Sequence, residues 1–261
     1  MTVGPESGRI ADWLRGRLSA AGARGLVVGL SGGVDSAVVV RLCQMAAPDT
    51  TLAVLMPSHS DPRDEHDAML VADHFGVTVI RTDLTLPFDQ LAVALNDALA
   101  RVPGEFRSSL APSTDIKARV PIANVTPRLR MATLYFMANS LNYLVAGTGN
   151  RSELAIGYFT KYGDGGVDLL PIGHLLKNDV RALARELGVP ALVIEKPPSA
   201  GLWPGQTDEA EIGFTYADLE NYLTEGPEAV APALAMRIER LVRATEHKRT
   251  MPPTPEGDTG N

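Results

Sequence analysis

At 261 residues, 45% of them hydrophobic and 21% charged, the chain is long enough to bury one sizeable core, and a single α/β domain fits that length. Its 24 Lys and Arg against 31 Asp and Glu leave a formal charge of -7, which argues against nucleic acid or an anionic membrane as a partner, so a polyanionic ligand must meet a local cluster of positive groups. The single cysteine, Cys43, excludes an intramolecular disulfide framework and a cysteine-rich zinc site, and no stretch reaches the roughly 20 apolar residues of a membrane span.

At the N-terminus, Glu6, Arg9, Asp12, Arg15 and Arg17 leave no apolar core for a secretory signal, so a reducing, cytoplasmic setting is expected. Ile10, Trp13, Leu14 and Leu18 recur at helical spacing, and Gly22 and Gly25 break that pattern before a buried strand over 26–30. A glycine turn at 31–33 opens a helix from about residue 35, in whose apolar stretch Cys43 reads as a buried, inert thiol. Next come a strand at 52–56, a helix at 64–75, a strand at 77–80 and a helix at 88–100. Beyond a polar, Pro-containing loop at 103–121, a helix over 127–142 feeds a strand at 143–146 that ends at Gly147-Thr148-Gly149-Asn150. Val180, Leu183, Ala184 and Leu187 mark an amphipathic helix stopped by Gly188 and Pro190, and 229–246 reads as the last long helix. The tail 251–261, rich in Pro, Gly and Thr, is expected to be flexible, leaving 1–250 as one domain.

This alternation implies parallel strands joined by right-handed crossovers, hence a doubly wound, mostly parallel α/β sheet with helices on both faces. Ligands of such sheets sit at the carboxyl ends of the strands, so both glycine turns should open onto one crevice.

The first of those turns, Ser31-Gly32-Gly33-Val34-Asp35-Ser36 between strand and helix, suits phosphate: glycines let backbone approach, and a helix N-terminus offers unpaired N–H donors. The Gly-Lys-Ser/Thr ending of a Walker loop is absent. A plain capped glycine turn would account for the glycines but not for the whole hexapeptide. With Gly29-Leu30 ahead of it, the hexapeptide resembles the pyrophosphate loop of the adenine-nucleotide α-hydrolases, which split ATP between its α- and β-phosphates. The loop alone does not choose among that group's NAD, GMP, argininosuccinate and asparagine synthetases and tRNA-thiolating enzymes. Three later runs do: Gly147-Thr148-Gly149-Asn150-Arg151-Ser152-Glu153, then 157–166 with Asp168 and Pro171, then Lys196-Pro197-Pro198-Ser199-Ala200-Gly201-Leu202-Trp203 with Gln206-Thr207-Asp208-Glu209. Together they resemble the NAD synthetase family, along roughly 29–249.

The resemblance implies an ATP-dependent ligase that adenylates the nicotinate carboxylate of deamido-NAD and lets ammonia displace AMP, giving NAD. It assigns catalysis to Asp35, Glu153 and Lys177. ATP would be held by Gly29, Leu30, Ser31, Gly32, Gly33, Val34, Asp35, Ser36, Thr148, Lys177 and Ser199, and Mg²⁺ by Asp35 and Glu153, two carboxylates being enough beside phosphate and water. Deamido-NAD would meet Arg128, Lys161, Asp168, His247 and Lys248. The Gly-Pro-rich stretch 197–206 is expected to close over the adenylate and exclude water.

Family members that use glutamine carry an added glutaminase domain with a cysteine nucleophile. This chain has no room for one, so ammonia is the expected donor, free or delivered by a separate glutaminase partner. The family also implies a homodimer whose deamido-NAD site crosses the subunit boundary, with 88–100 and 127–142 at the interface, Arg128 reaching into the partner's site and Lys161 serving its own.

One stretch departs from the family. Where Gly-Asn-(Ile/Val)-Lys-Ala-Arg-x-Arg-Met is usual, this chain reads Ala123-Asn124-Val125-Thr126-Pro127-Arg128-Leu129-Arg130-Met131. Proline is tolerated in a first turn, so the helix should persist, but the substrate contact is altered. The departure keeps open a ligase of the same fold acting on another carboxylate; a non-catalytic nucleotide-binding protein is the other alternative, one whose site would be free to lose Asp35 or Glu153, and both are present.

Overall fold

The computed structural model describes residues 4–107, 119–198 and 207–255. In chain order the elements are α1 (Pro5–Ala21), β1 (Gly25–Gly29), α2 (Val34–Ala46), β2 (Thr51–Leu55), α3 (Pro62–Phe75), β3 (Thr78–Arg81), α4 (Thr85–Ala100), α5 (Gly104–Arg107), α6 (Val120–Ala123), α7 (Val125–Leu141) and β4 (Tyr143–Ala146). They continue with α8 (Arg151–Ile156), α9 (Lys177–Leu187), α10 (Ala191–Glu195), α11 (Asp208–Ile212), α12 (Tyr216–Glu225) and α13 (Pro232–Ala244), after which Glu246–Lys248 forms one 3₁₀ turn.

All four strands are parallel, in the order β3-β2-β1-β4, and an isolated bridge from Ala146 to Leu169 extends the β4 edge. Side chains alternate across a strand, and the strand sequences are apolar on both faces. Leu26, Val28, Ala53 and Leu55 pack into a core with α1, α2, α3, α9 and α10, whereas Val27, Val54 and Val145 face Leu134 and Ala138 of α7. This is the doubly wound sheet expected. A third apolar cluster, Ile156, Ile212, Phe214, Leu219 and Ile238, joins α8, α11, α12 and α13 beyond the sheet.

Several boundaries move by a few residues for local reasons. Helix α3 begins at Pro62 because Asp61 caps it, accepting the Arg63 N–H at 2.9 Å. Helix α7 begins at Val125, with Pro127 inside its first turn, where a missing N–H costs no intrahelical bond. No residue of α4 is buried, although the helix is rich in Leu and Val. Among the described residues no helix is long and apolar enough to cross a membrane. Cys43 is buried, which pushes its thiol pKa far up and makes it unreactive.

Candidate active site

At the carboxyl end of β1 the chain turns on Gly32, which takes φ +79° and lies so close to α3 that a Cβ would sit 2.3 Å from the Asp64 carbonyl oxygen. Both the left-handed backbone and the contact require glycine. Buried Ser36 closes the turn: its Oγ donates to the Gly33 carbonyl at 2.9 Å and accepts the Ser31 N–H at 3.2 Å. The N-cap of α2 is Gly33, which has no side chain to occupy the first-turn N–H groups. Those donors open onto a cavity of about 460 Å³ lined by Gly29, Leu30, Ser31, Gly33, Val34, Asp35 and Ser36 on this side.

Thr148, Glu153 and Lys177 line the same cavity from the β4 side. Fully buried Asn150 joins the two halves. Its Oδ1 caps α8 by accepting the Glu153 N–H at 3.0 Å, its own N–H donates to Glu153 Oε2 at 3.3 Å, and its Nδ2 donates to Asp35 Oδ1 at 3.0 Å. Lys177 Nζ, 3% exposed, lies 2.5 Å from Asp35 Oδ2 and 3.3 Å from Glu153 Oε1. Burial alone would depress the lysine pKa, but Asp35 and Glu153 outweigh it and the pKa rises. Burial pushes the Glu153 carboxyl up to about 7, against the pull of Lys177. Tyr216 Oη donates to Asp208 Oδ2 at 2.9 Å, and Tyr158 Oη to Glu211 Oε2 at 2.8 Å. Two carboxyl groups, Asp35 and Glu153, thus pair with one ammonium, and the charge of Asp208 acts on it from farther away.

On the opposite wall Arg130 donates from Nε to the Met56 carbonyl at 3.1 Å and from Nη2 to Ser60 Oγ at 3.2 Å, with no carboxylate partner among the described residues. Lys196 Nζ bridges Asp64 at 2.8 Å and Asp67 at 2.5 Å. Buried Pro127, from the stretch that departs from the family, forms part of the wall against Gly163. Ser199, and with it most of the stretch expected to close, lies outside the described residues.

The residues expected at deamido-NAD are placed differently. Lys248 lines the cavity, its Nζ donating to the Gly157 and Phe159 carbonyls at 2.7 Å each. Arg128, Lys161 and His247 form a chain on the cavity's outer side: Arg128 Nη2 donates to the Lys161 carbonyl at 3.3 Å, and Lys161 Nζ donates to the His247 carbonyl. Arg128 and Lys161 are therefore neighbours within one chain. Asp168 is exposed at the β4 edge, accepting Tyr135 Oη at 2.9 Å and the Val145 N–H at 2.8 Å. Asn150, Arg130, Asp208 and Tyr216 had no assigned role in the sequence, although three of them stand inside its quoted motifs.

A family model described as NAD synthase matches residues 6–252. The NH(3)-dependent NAD(+) synthetase of Carboxydothermus hydrogenoformans is 48% identical over 247 residues, covering 95% of each chain. Among solved structures, an NMN synthetase from Francisella tularensis matches with a TM-score of 0.85 at 32% identity, over 98% of this chain and 99% of its own. An NAD+ synthetase from Burkholderia pseudomallei matches with a TM-score of 0.73 at 30% identity, over 95% and 90% respectively.

Proposed function

The chain belongs to the NAD synthase family, and on that premise we propose that it converts deamido-NAD to NAD by ATP-dependent amidation with ammonia. The observation that carries the reading is the meeting of Asp35, Glu153 and Lys177 beside the uncapped N-terminus of α2, a place built for a polyphosphate.

In the first step the nicotinate carboxylate attacks the α-phosphorus of ATP and pyrophosphate leaves. The N–H groups of the loop and of the first turn of α2 receive phosphate oxygens, and Lys177 offsets the charge that builds on the leaving group. In the second step ammonia adds to the acyl carbon and AMP departs. The carboxylates of Asp208 and Glu211, bridged by the Tyr158 hydroxyl, favour an ammonium ion near that carbon and can take its proton.

Asp35 and Glu153 fit a Mg²⁺ ion as well: both are hard oxygen donors, both line the cavity, and both keep lone pairs beyond their bonds to Asn150 and Lys177. Bound there, the ion would supply charge neutralisation to the phosphates. A cytoplasmic setting agrees with this biosynthetic role.

We assign the protein a homodimeric state. Supporting it is the exposed apolar face of α4 and α7, on which Leu86, Val93 and Phe136 are each more than 60% exposed. A two-fold partner on that face would also complete the site, since Arg128, Lys161, Asp168 and His247 do not line this chain's own cavity.

The match to an NMN synthetase favours a second reading, the same chemistry on a mononucleotide carboxylate, and Pro127, which departs from the family and stands in the cavity wall, points the same way. A pyrophosphate-release assay with ATP, Mg²⁺ and ammonium decides between deamido-NAD, nicotinate mononucleotide and unrelated acids. Deamido-NAD should give the highest kcat/KM, and glutamine should not replace ammonium, because buried Cys43 offers no nucleophile. A preference for the mononucleotide would transfer the assignment to the second reading, and turnover on glutamine alone would overturn the ammonia assignment.

A further inference from the structure

Lys177 is the first residue of α9, so the place of its ammonium depends on what secures that helix's first turn. A helix N-terminus needs acceptors for its free N–H groups, usually from the N-cap side chain. Here the N-cap residue is Leu176, which has none to offer. Asp179 answers only the Leu176 N–H, at 3.2 Å.

The missing acceptor comes from α12. Glu220 Oε1 accepts the Asn178 N–H at 3.0 Å, and Oε2 accepts Asn178 Nδ2 at 2.6 Å. The Lys177 N–H donates to Ser152 Oγ at 3.2 Å, and that hydroxyl in turn donates to Glu220 Oε1 at 3.5 Å. Ser152 is fully buried and Glu220 is 7% exposed, yet no Lys, Arg or His pairs with Glu220 among the described residues. A carboxylate withdrawn from water without a cation is costly unless donors surround it, and here the donors and the positive end of the α9 dipole do so. Ser152 also precedes Glu153 on α8, so one carboxylate ties together the helices that carry Glu153 and Lys177. Leu219, beside it on α12, is fully buried in the third apolar cluster and anchors the tie.

We infer that Glu220 is a positioning residue: by capping α9 from α12 and bracing Ser152, it sets the Lys177 ammonium between Asp35 and Glu153. The inference rests on Lys177 belonging to the nucleotide site as proposed above.

The test compares wild type with Glu220→Gln, which keeps the volume and one acceptor oxygen but loses the charge and turns an amide donor toward donors. Asn178→Ala, which removes the 2.6 Å bond and a 3.4 Å bond from exposed Arg181 but keeps the backbone N–H bond to Glu220, is the milder companion. Each protein is assayed well below its melting temperature for kcat, for ATP·Mg²⁺ affinity by calorimetry and for hydrogen exchange across 176–180. For Glu220→Gln the expectation is a folded protein with kcat per folded enzyme reduced roughly 10-fold, weaker ATP·Mg²⁺ binding and faster exchange confined to that turn. Asn178→Ala should shift all three the same way by less.

A lower melting temperature with unchanged kcat and nucleotide affinity in both variants would overturn the inference, leaving Glu220 a structural cap only. If Glu220→Gln fails to fold, Asn178→Ala decides alone. If wild type amidates none of the carboxylates, the functional reading falls, while ATP·Mg²⁺ affinity and exchange still decide the role of Glu220.

Discussion

Glu153 has two duties that pull on its charge in opposite directions. As the third residue of α8 it accepts the Asn150 N–H and closes a capping box, while its other oxygen faces Lys177. Burial raises its pKa to about 7. Between the ordinary carboxylate range and neutrality the folded, metal-free protein then holds a proton that the unfolded chain has released. Its stability contribution therefore falls as pH rises through that window. Mg²⁺ bound to the ionised carboxylate would reverse the loss, so the rise in melting temperature on adding Mg²⁺ should be larger at about pH 8 than at about pH 6. Glu153→Gln should flatten that difference in calorimetry and cost about 10- to 100-fold in amidation. A variant that matches wild type in both measurements would remove Glu153 as a ligand.

Among the elements, the loop between β1 and α2 depends most on one residue. Gly32→Ala would place a methyl group against the Asp64 carbonyl at a backbone angle that alanine resists by about 1–2 kcal/mol. The turn should open, lowering stability and raising the KM for ATP more than that for deamido-NAD. Steady-state kinetics with each substrate varied in turn would detect this, and equal changes in both KM values would mean that the loop does not bind ATP selectively. Helix α7 teaches a different lesson: Pro127 was read from its neighbours as a helix-start residue, and its place in the cavity wall emerged only once α7 lay across the sheet.

At the scale of the whole molecule, the proposed homodimer would give α4 a covering surface. Its apolar residues are exposed, and it stands beside α7, whose Phe136 is 66% exposed. Replacing Val93 and Phe136 together by Asp should halve the mass seen by light scattering and reduce amidation without lowering the helix content. A wild-type protein that is already a monomer at micromolar concentration would remove the premise.

Periodicity and punctuation determined the parallel sheet and the two glycine turns, because both are written in local spacing: apolar runs between breakers, and glycines where the backbone must turn sharply. The hexapeptide at 31–36 and the run 147–153 marked two sides of the cavity for the same reason. Which side chains share a cavity was decided by packing between elements far apart in the chain. Glu220 caps a helix that begins 43 positions earlier at Lys177, Asn150 reaches Asp35 across 115 positions, and Arg128 turned outward while Arg130, two residues on, turned in. No local pattern carries such pairings, since a helix two residues further along presents a face rotated by about 200°.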